Sequence, residues 1–273
     1  MNQQTISTKH GEIAIVTVGE SGPALLFVHG NSACKEVWYK QYESDMAASH
    51  RLIAMDLPGH GASSDAPDPE ASYCMGGYAE AAISVLDALG INRVVVVGWS
   101  LGGHVAIEMI PLFPGVAGIF ISGTPPVRTG DTESIAAGFY MNETTALAGQ
   151  QDWSVEDAKK MSGSGLEPGM PAPDWALAAA MRTDGRARRM MFAAFIAGQG
   201  GDHADIVART KVPTAVVNGG ADQFVNNDFT CAAVYGNLWR GQVYLLDGLG
   251  HAPFWQAPEE YNTLLENFVS EVQ

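Results

Sequence analysis

Four consecutive valines, Val94–Val97, run straight into Gly98-Trp99-Ser100-Leu101-Gly102-Gly103. An unbroken β-branched run suits a strand buried on both faces, as in parallel sheets covered by crossover helices. The glycines allow the chain to turn sharply, and Leu101–Phe113 then reads as a helix. Strand, G-x-S-x-G and helix in that order hold a serine in a strained turn with its hydroxyl clear of the main chain. The setting therefore selects Ser100 as a candidate nucleophile, with the helix N-terminus favouring negative charge that develops beside it.

The same strand–helix rhythm recurs along the chain. Glu12–Val18, Ala24–His29, Arg51–Asp56, Val116–Ser122, Pro213–Asn218 and Gln242–Asp247 read as strands, and Tyr73–Leu89 and Glu259–Val269 as helices. The expected fold class is α/β, a mostly parallel central sheet flanked by helices, and 273 residues suffice for one such domain with an insertion. The rhythm breaks over residues 127–200, which contain no convincing strand. That stretch holds Met141, Met161, Met170, Met181, Met190 and Met191, with Trp153, Trp175, Phe192 and Phe195. It is expected to form a helical cap, its apolar underside facing a ligand, on a core made of residues 1–126 and 201–273. Gly163, Gly165 and Gly169 mark a flexible stretch of the cap. Arg182, Arg186, Arg188 and Arg189 read as a solvated helix face paired with acidic neighbours.

Charge narrows the partners. Fifteen Lys and Arg stand against thirty Asp and Glu, a net charge of −15, which disfavours nucleic acid and anionic membrane surfaces. Cys34, Cys74 and Cys231 are widely spaced, without zinc-site spacing, and read as reduced, mostly buried thiols. The N-terminal segment lacks the pattern of a secretory signal. The most apolar stretch, Met109–Ile121, is broken by Pro111 and Pro114, so a cytoplasmic protein is expected.

A serine hydroxyl needs a base. Of seven histidines, His251 follows the last expected strand on a flexible turn, at the sheet edge where Ser100 emerges. His104 lies one helical turn after Ser100, with no carboxylate placed to orient it. His29 belongs to the loop after its strand, His60 sits in a glycine turn, and His10, His50 and His203 have no informative context. The acid should follow an intervening strand, and Asp222, in Gly219-Gly220-Ala221-Asp222, is the first one past Pro213–Asn218. The strand ending near Ser122 offers none until Asp131, and Asp228 and Asp247 suit structural roles better. The oxyanion donors expected are the backbone N–H groups of Leu101 and Asn31.

These residues are the signature of the α/β-hydrolase superfamily. The strings DLPGHGASSDAPDPEASYCMGGYAEA, GWSLGGHVAIEMI, ISGTPP, ALAGQ, RTDGRARRMMF, VVNGGADQF, GNLW and GHAPF more closely resemble the α/β-hydrolase type of N-acylhomoserine lactonase, the quorum-quenching AidH-like enzymes. The resemblance implies Ser100 as nucleophile, His251 as base, Asp222 as acid and Asn31 with Leu101 as oxyanion donors. It implies a small-molecule acyl lactone as substrate, opened without a metal or other cofactor. One departure is visible: the family's third carboxylate is a Glu followed by Pro, whereas Asp222 is followed by Gln223, which puts the reach of the shorter acid in question. An acyl tail would lie under the cap, with Trp99, Met141, Met161, Met191 and Phe224 as expected contacts, and methionine adapts to tails of different length. The alternative activity is that of a carboxylesterase on other small esters or lactones, since the same machinery serves both.

Overall fold

The computed structural model describes residues 1–166 and 172–272. Eight strands form one sheet: β1 (Asn2–Thr8), β2 (Gly11–Val18), β3 (Ala24–Val28), β4 (Arg51–Met55), β5 (Val94–Trp99), β6 (Val116–Ser122), β7 (Thr214–Gly219) and β8 (Tyr244–Leu246). Their order is β1-β2-β4-β3-β5-β6-β7-β8. β1 and β2 pair antiparallel, as do β2 and β4, and every pairing from β4 to β8 is parallel. The sheet is thus mostly parallel, as the valine run requires, and all of β5 is buried at its centre.

One face packs against α1 (Met75–Ala88) and α2 (Leu101–Leu112), around Tyr78, Val85, Val105 and Met109. The other packs Trp38 and Phe120 against Tyr261 and Phe268 of the C-terminal helix Pro258–Glu271. Strand β1 has no strand signal in the sequence. Its residues, NQQTIST, lack an apolar run because it is a half-exposed edge strand held by its hairpin to β2.

Between β6 and β7 lie α3 (Thr132–Gly138), α4 (Val155–Leu166), α5 (Asp174–Arg182), α6 (Gly185–Ile196) and α7 (His203–Arg209). Among the described residues, 127–200 form no strand, only an isolated bridge from Phe139 to Val225. Gly169 and Met170 lie outside the described residues. Three of the four arginines behave as expected or nearly so: Arg182 meets Asp65 at 3.0 Å, Arg186 meets Asp184 at 2.8 Å, and Arg189 donates to Gln151. Arg188 corrects the expectation, because it is buried and pairs with carbonyls rather than carboxylates. The thiols are free, but only Cys34 is buried and Cys231 is exposed. Among the described residues no helix is long and apolar enough to cross a membrane.

Candidate active site

Ser100 stands between β5 and α2 with φ 54 and ψ −116, a conformation that costs a non-glycine residue about 1–3 kcal/mol. Packing holds it there. The Ser100 N–H donates to the Ser122 carbonyl at 2.8 Å, and the Thr124 hydroxyl donates to the Ser100 carbonyl at 2.9 Å. A β-carbon on Gly102 would lie 2.0 Å from the Val28 carbonyl oxygen, so the glycine lets the start of α2 press against the end of β3. That contact sets Leu101 beside the loop of Gly30 and Asn31. The N–H groups of a helix's first turn have no partner within the helix, so Leu101 N–H is available to an anion.

Asp222 and His251 come from the turns after β7 and β8. These turns are laced together: Gly220 N–H donates to the Leu246 carbonyl and Ala221 N–H to that of Leu249. His251 Nδ1 lies 2.7 Å from Asp222 Oδ2, with the carboxylate fully buried and the imidazole nearly so. The other carboxylate oxygen, Oδ1, accepts the N–H groups of Phe224 at 2.8 Å and Val225 at 3.3 Å. The shorter acid therefore reaches the imidazole, and the departure from Glu-Pro does not cost the contact. Trp99 Nε1 donates to the His251 carbonyl at 2.9 Å, and the Phe224 ring sits 4.8 Å from the imidazole. Gly123, with φ 61, underlies the ring; a β-carbon there would meet His251 Cε1 at 2.5 Å.

Ser100 and His251 border one cavity of about 170 Å³. Asn31, Leu101, Trp99, Met141, Met161, Met191 and Phe224 border it too, so every residue expected at the site meets this space except Asp222, which sits behind His251. Trp175, Phe192 and Phe195 add to an apolar wall, whereas Met181 faces solvent. Met141 is 70% exposed and forms part of the rim.

Some features of the site have no signature in the sequence. The Asn31 side chain donates to the Ala148 carbonyl at 2.9 Å, tying the loop after β3 to the helical segment above it. Arg188 stacks on Trp153 at 4.1 Å and donates to the carbonyls of Gln150 and Gln151. His104 is oriented by a carboxylate after all, Glu108, through His203. His29 Nε2 accepts the Leu57 N–H at 3.0 Å, while its Nδ1 meets the Gly30 carbonyl at 2.7 Å, which fixes the tautomer and braces the same loop. A candidate metal cluster, Cys34, Glu36 and Asp56, already contains a cation. Lys35 Nζ lies 2.8 Å from Asp56 and 2.9 Å from Glu36, and burial pushes the Cys34 thiol far up, away from the thiolate a metal needs.

A family model described as "Alpha/beta hydrolase family" matches residues 25–264. The structure is similar to that of N-acyl homoserine lactonase AidH complexed with N-butanoyl homoserine, with TM-score 0.96, 43% identity, and coverage of 100% of this chain and 98% of that one. A variant of that lactonase complexed with N-hexanoyl homoserine lactone also matches, with TM-score 0.96 and 42% identity over 100% of this chain and 99% of that one. A curated relative, the 2-hydroxy-6-oxononadienedioate/2-hydroxy-6-oxononatrienedioate hydrolase of Pseudomonas sp, is 24% identical over 96% of this chain and 93% of its own length.

Proposed function

Since the chain belongs to the alpha/beta hydrolase family, we propose that it opens the lactone ring of N-acyl-L-homoserine lactones through an acyl-enzyme on Ser100. The observation that carries this reading is the 43% identity to a lactonase seen with N-butanoyl homoserine, extending over the whole chain and so through the helical segment above the cavity. Residues 127–200 act in this reading as a cap on a core of 1–126 and 201–273.

The chemistry follows from the site. Ser100 Oγ attacks the ring carbonyl carbon while His251 Nε2 takes its proton. Asp222 Oδ2 accepts from Nδ1, holding the tautomer that leaves Nε2 free to act as base. The carbonyl oxygen, now an oxyanion, takes hydrogen bonds from the N–H groups of Leu101 and Asn31, each worth roughly 2.7–4 kcal/mol of barrier. Collapse breaks the ring C–O bond, and His251 returns its proton to the departing oxygen, which stays tethered to the acyl group. Water, deprotonated by His251, then attacks the acyl carbon, and Ser100 leaves with its proton restored. The product is the open N-acylhomoserine. The amide-linked tail lies along the apolar wall, where each buried methylene contributes up to about 0.8 kcal/mol.

The test is release of acid from butanoyl, hexanoyl and octanoyl homoserine lactones with EDTA present. Turnover that chelation leaves intact, and that Ser100→Ala reduces by several orders of magnitude in kcat, is the expected result. A folded sample without lactone turnover, loss of activity on chelation, or a strong preference in kcat/KM for p-nitrophenyl esters would overturn it.

A further inference from the structure

The Gly30–Asn31 peptide is held from two sides. From within the core, the Leu57 N–H donates to His29 Nε2, so that nitrogen carries no hydrogen and Nδ1 donates to the Gly30 carbonyl at 2.7 Å. The Ala33 N–H donates to the same carbonyl at 3.2 Å. In a trans peptide the N–H points opposite to the carbonyl, so the Asn31 N–H points away from the His29 ring. Asn31 borders the cavity, and its N–H has no acceptor among the described residues.

The second hold is the Asn31 side chain, and its direction is fixed by chemistry. The Ala148 carbonyl can only accept. The carboxamide therefore turns its nitrogen to that carbonyl, at 2.9 Å, and its oxygen to the Ser32 hydroxyl, at 3.1 Å. Neither contact involves a group that titrates near neutral pH. Ser32 has φ 57, in the left-handed region, which non-glycine residues hold where their surroundings impose it. Ala148 belongs to a knitted turn: its N–H donates to the Thr145 carbonyl, and the Leu147 carbonyl accepts Trp153 Nε1 at 3.0 Å and the Gln150 N–H at 2.9 Å. Met141, Thr145 and Ala148 all border the cavity.

Building on the lactonase reading, in which the Asn31 N–H holds the oxyanion, we propose that the Asn31 carboxamide is a positioning group for that donor. Residues 141–148 then help to stabilise the transition state as well as to line the wall for the acyl tail. Cutting the link leaves the N–H in the chain but frees the peptide plane that aims it. A misaimed oxyanion donor weakens the transition state more than the bound substrate, so the loss falls on kcat rather than KM. Acylation and deacylation both pass through an oxyanion, so the loss shows whichever step limits the rate.

The experiment measures kcat and KM for octanoyl homoserine lactone and for p-nitrophenyl acetate, which has no tail to lay along the wall. In Asn31→Ala, kcat should fall by about ten- to a hundredfold on both substrates, with KM changed by less than about threefold. Ser32→Gly, which accommodates the positive φ and removes the hydroxyl, should lower kcat on both by a smaller factor. It decides the question alone if circular dichroism shows that the Asn31 variant fails to fold. A loss confined to KM, or to the octanoyl substrate, would mean that the side chain only shapes the tail wall. An unchanged kcat would mean that the loop aims its donor without the link. Either result overturns this inference and leaves the lactonase reading standing. Turnover of the ester alone overturns the lactonase reading, and the ester kinetics then decide this inference. Absence of turnover on both substrates overturns both.

Discussion

Asp222 shows how much one carboxylate can be asked to do. Oδ1 is committed to the backbone of Phe224 and Val225, and Oδ2 to His251. With both oxygens committed, the group cannot rotate, and His251 keeps Nε2 free of hydrogen, as the proposed mechanism needs for the serine proton. An amide at this position would turn its oxygen toward the two N–H groups and present its NH₂ to His251 Nδ1. The imidazole would then have to carry its hydrogen on Nε2, where it blocks proton abstraction. We therefore expect Asp222→Asn to lower kcat by about 10⁴ with little change in fold. Asp222→Glu restores the charge but must fit a further methylene into a fully buried site, so its kcat should fall between wild type and the Asn variant. Steady-state kinetics on one lactone, with circular dichroism as a check on folding, reads both. An Asn variant within tenfold of wild type would remove Asp222 from the mechanism.

At the scale of elements, the helices between β6 and β7 are fastened down by polar contacts as well as by their apolar underside. Arg188, on α6, donates to the carbonyls of Gln150 and Gln151 and stacks on Trp153. Arg188→Ala strands two carbonyls and an indole face, at a cost of about 1–3 kcal/mol. If α6 and the 150–153 turn shape the tail-binding wall, KM for long-chain lactones should rise more than kcat falls, and a variant with unchanged KM and thermal midpoint would contradict that. Here the sequence is a partial guide. The strand ends bearing Ser100, Asp222 and His251 are legible because local signals converge there: an apolar run, then glycine, then a reactive side chain. Met161, Met191 and Phe224 border the cavity for a coarser reason, since apolar residues in and around a strandless insertion must cover something. Arg188 escapes sequence reasoning because its partners are backbone carbonyls, which have no signature in composition. The His104–His203–Glu108 chain escapes it because His203 arrives from a distant helix, and no local pattern records that contact. β1 is silent because an edge strand half open to water needs no apolar stretch.

For the molecule as a whole, the imidazoles sealed inside it govern how it meets acid. His29 and His60 lie with ring centroids 5.2 Å apart, His29 against the loop of Gly30 and Asn31, and neither is exposed. Burial lowers His29 to about 4 and His60 to about 3, against 6.5 in the unfolded chain. Between about pH 4 and 6.5 the unfolded state therefore binds protons that the folded state refuses. Stability is fully present above 6.5 and declines as pH falls toward the folded values, the direction expected for a base whose pKa is depressed by folding. At about 1.4 kcal/mol per unit, each group contributes on the order of 3 kcal/mol across that window, a large share of a typical domain's stability. His104, also held well below its ordinary value, adds in the same direction. Urea midpoints taken from pH 7.5 down to 4.5 should be level at first and then fall steeply below about 6.5, before most carboxylates begin to titrate. His60→Gln should remove about one proton from that slope. A midpoint that holds steady down to about pH 5 would mean that water reaches these rings and that the loop carrying Asn31 is braced by something other than a dry imidazole pair.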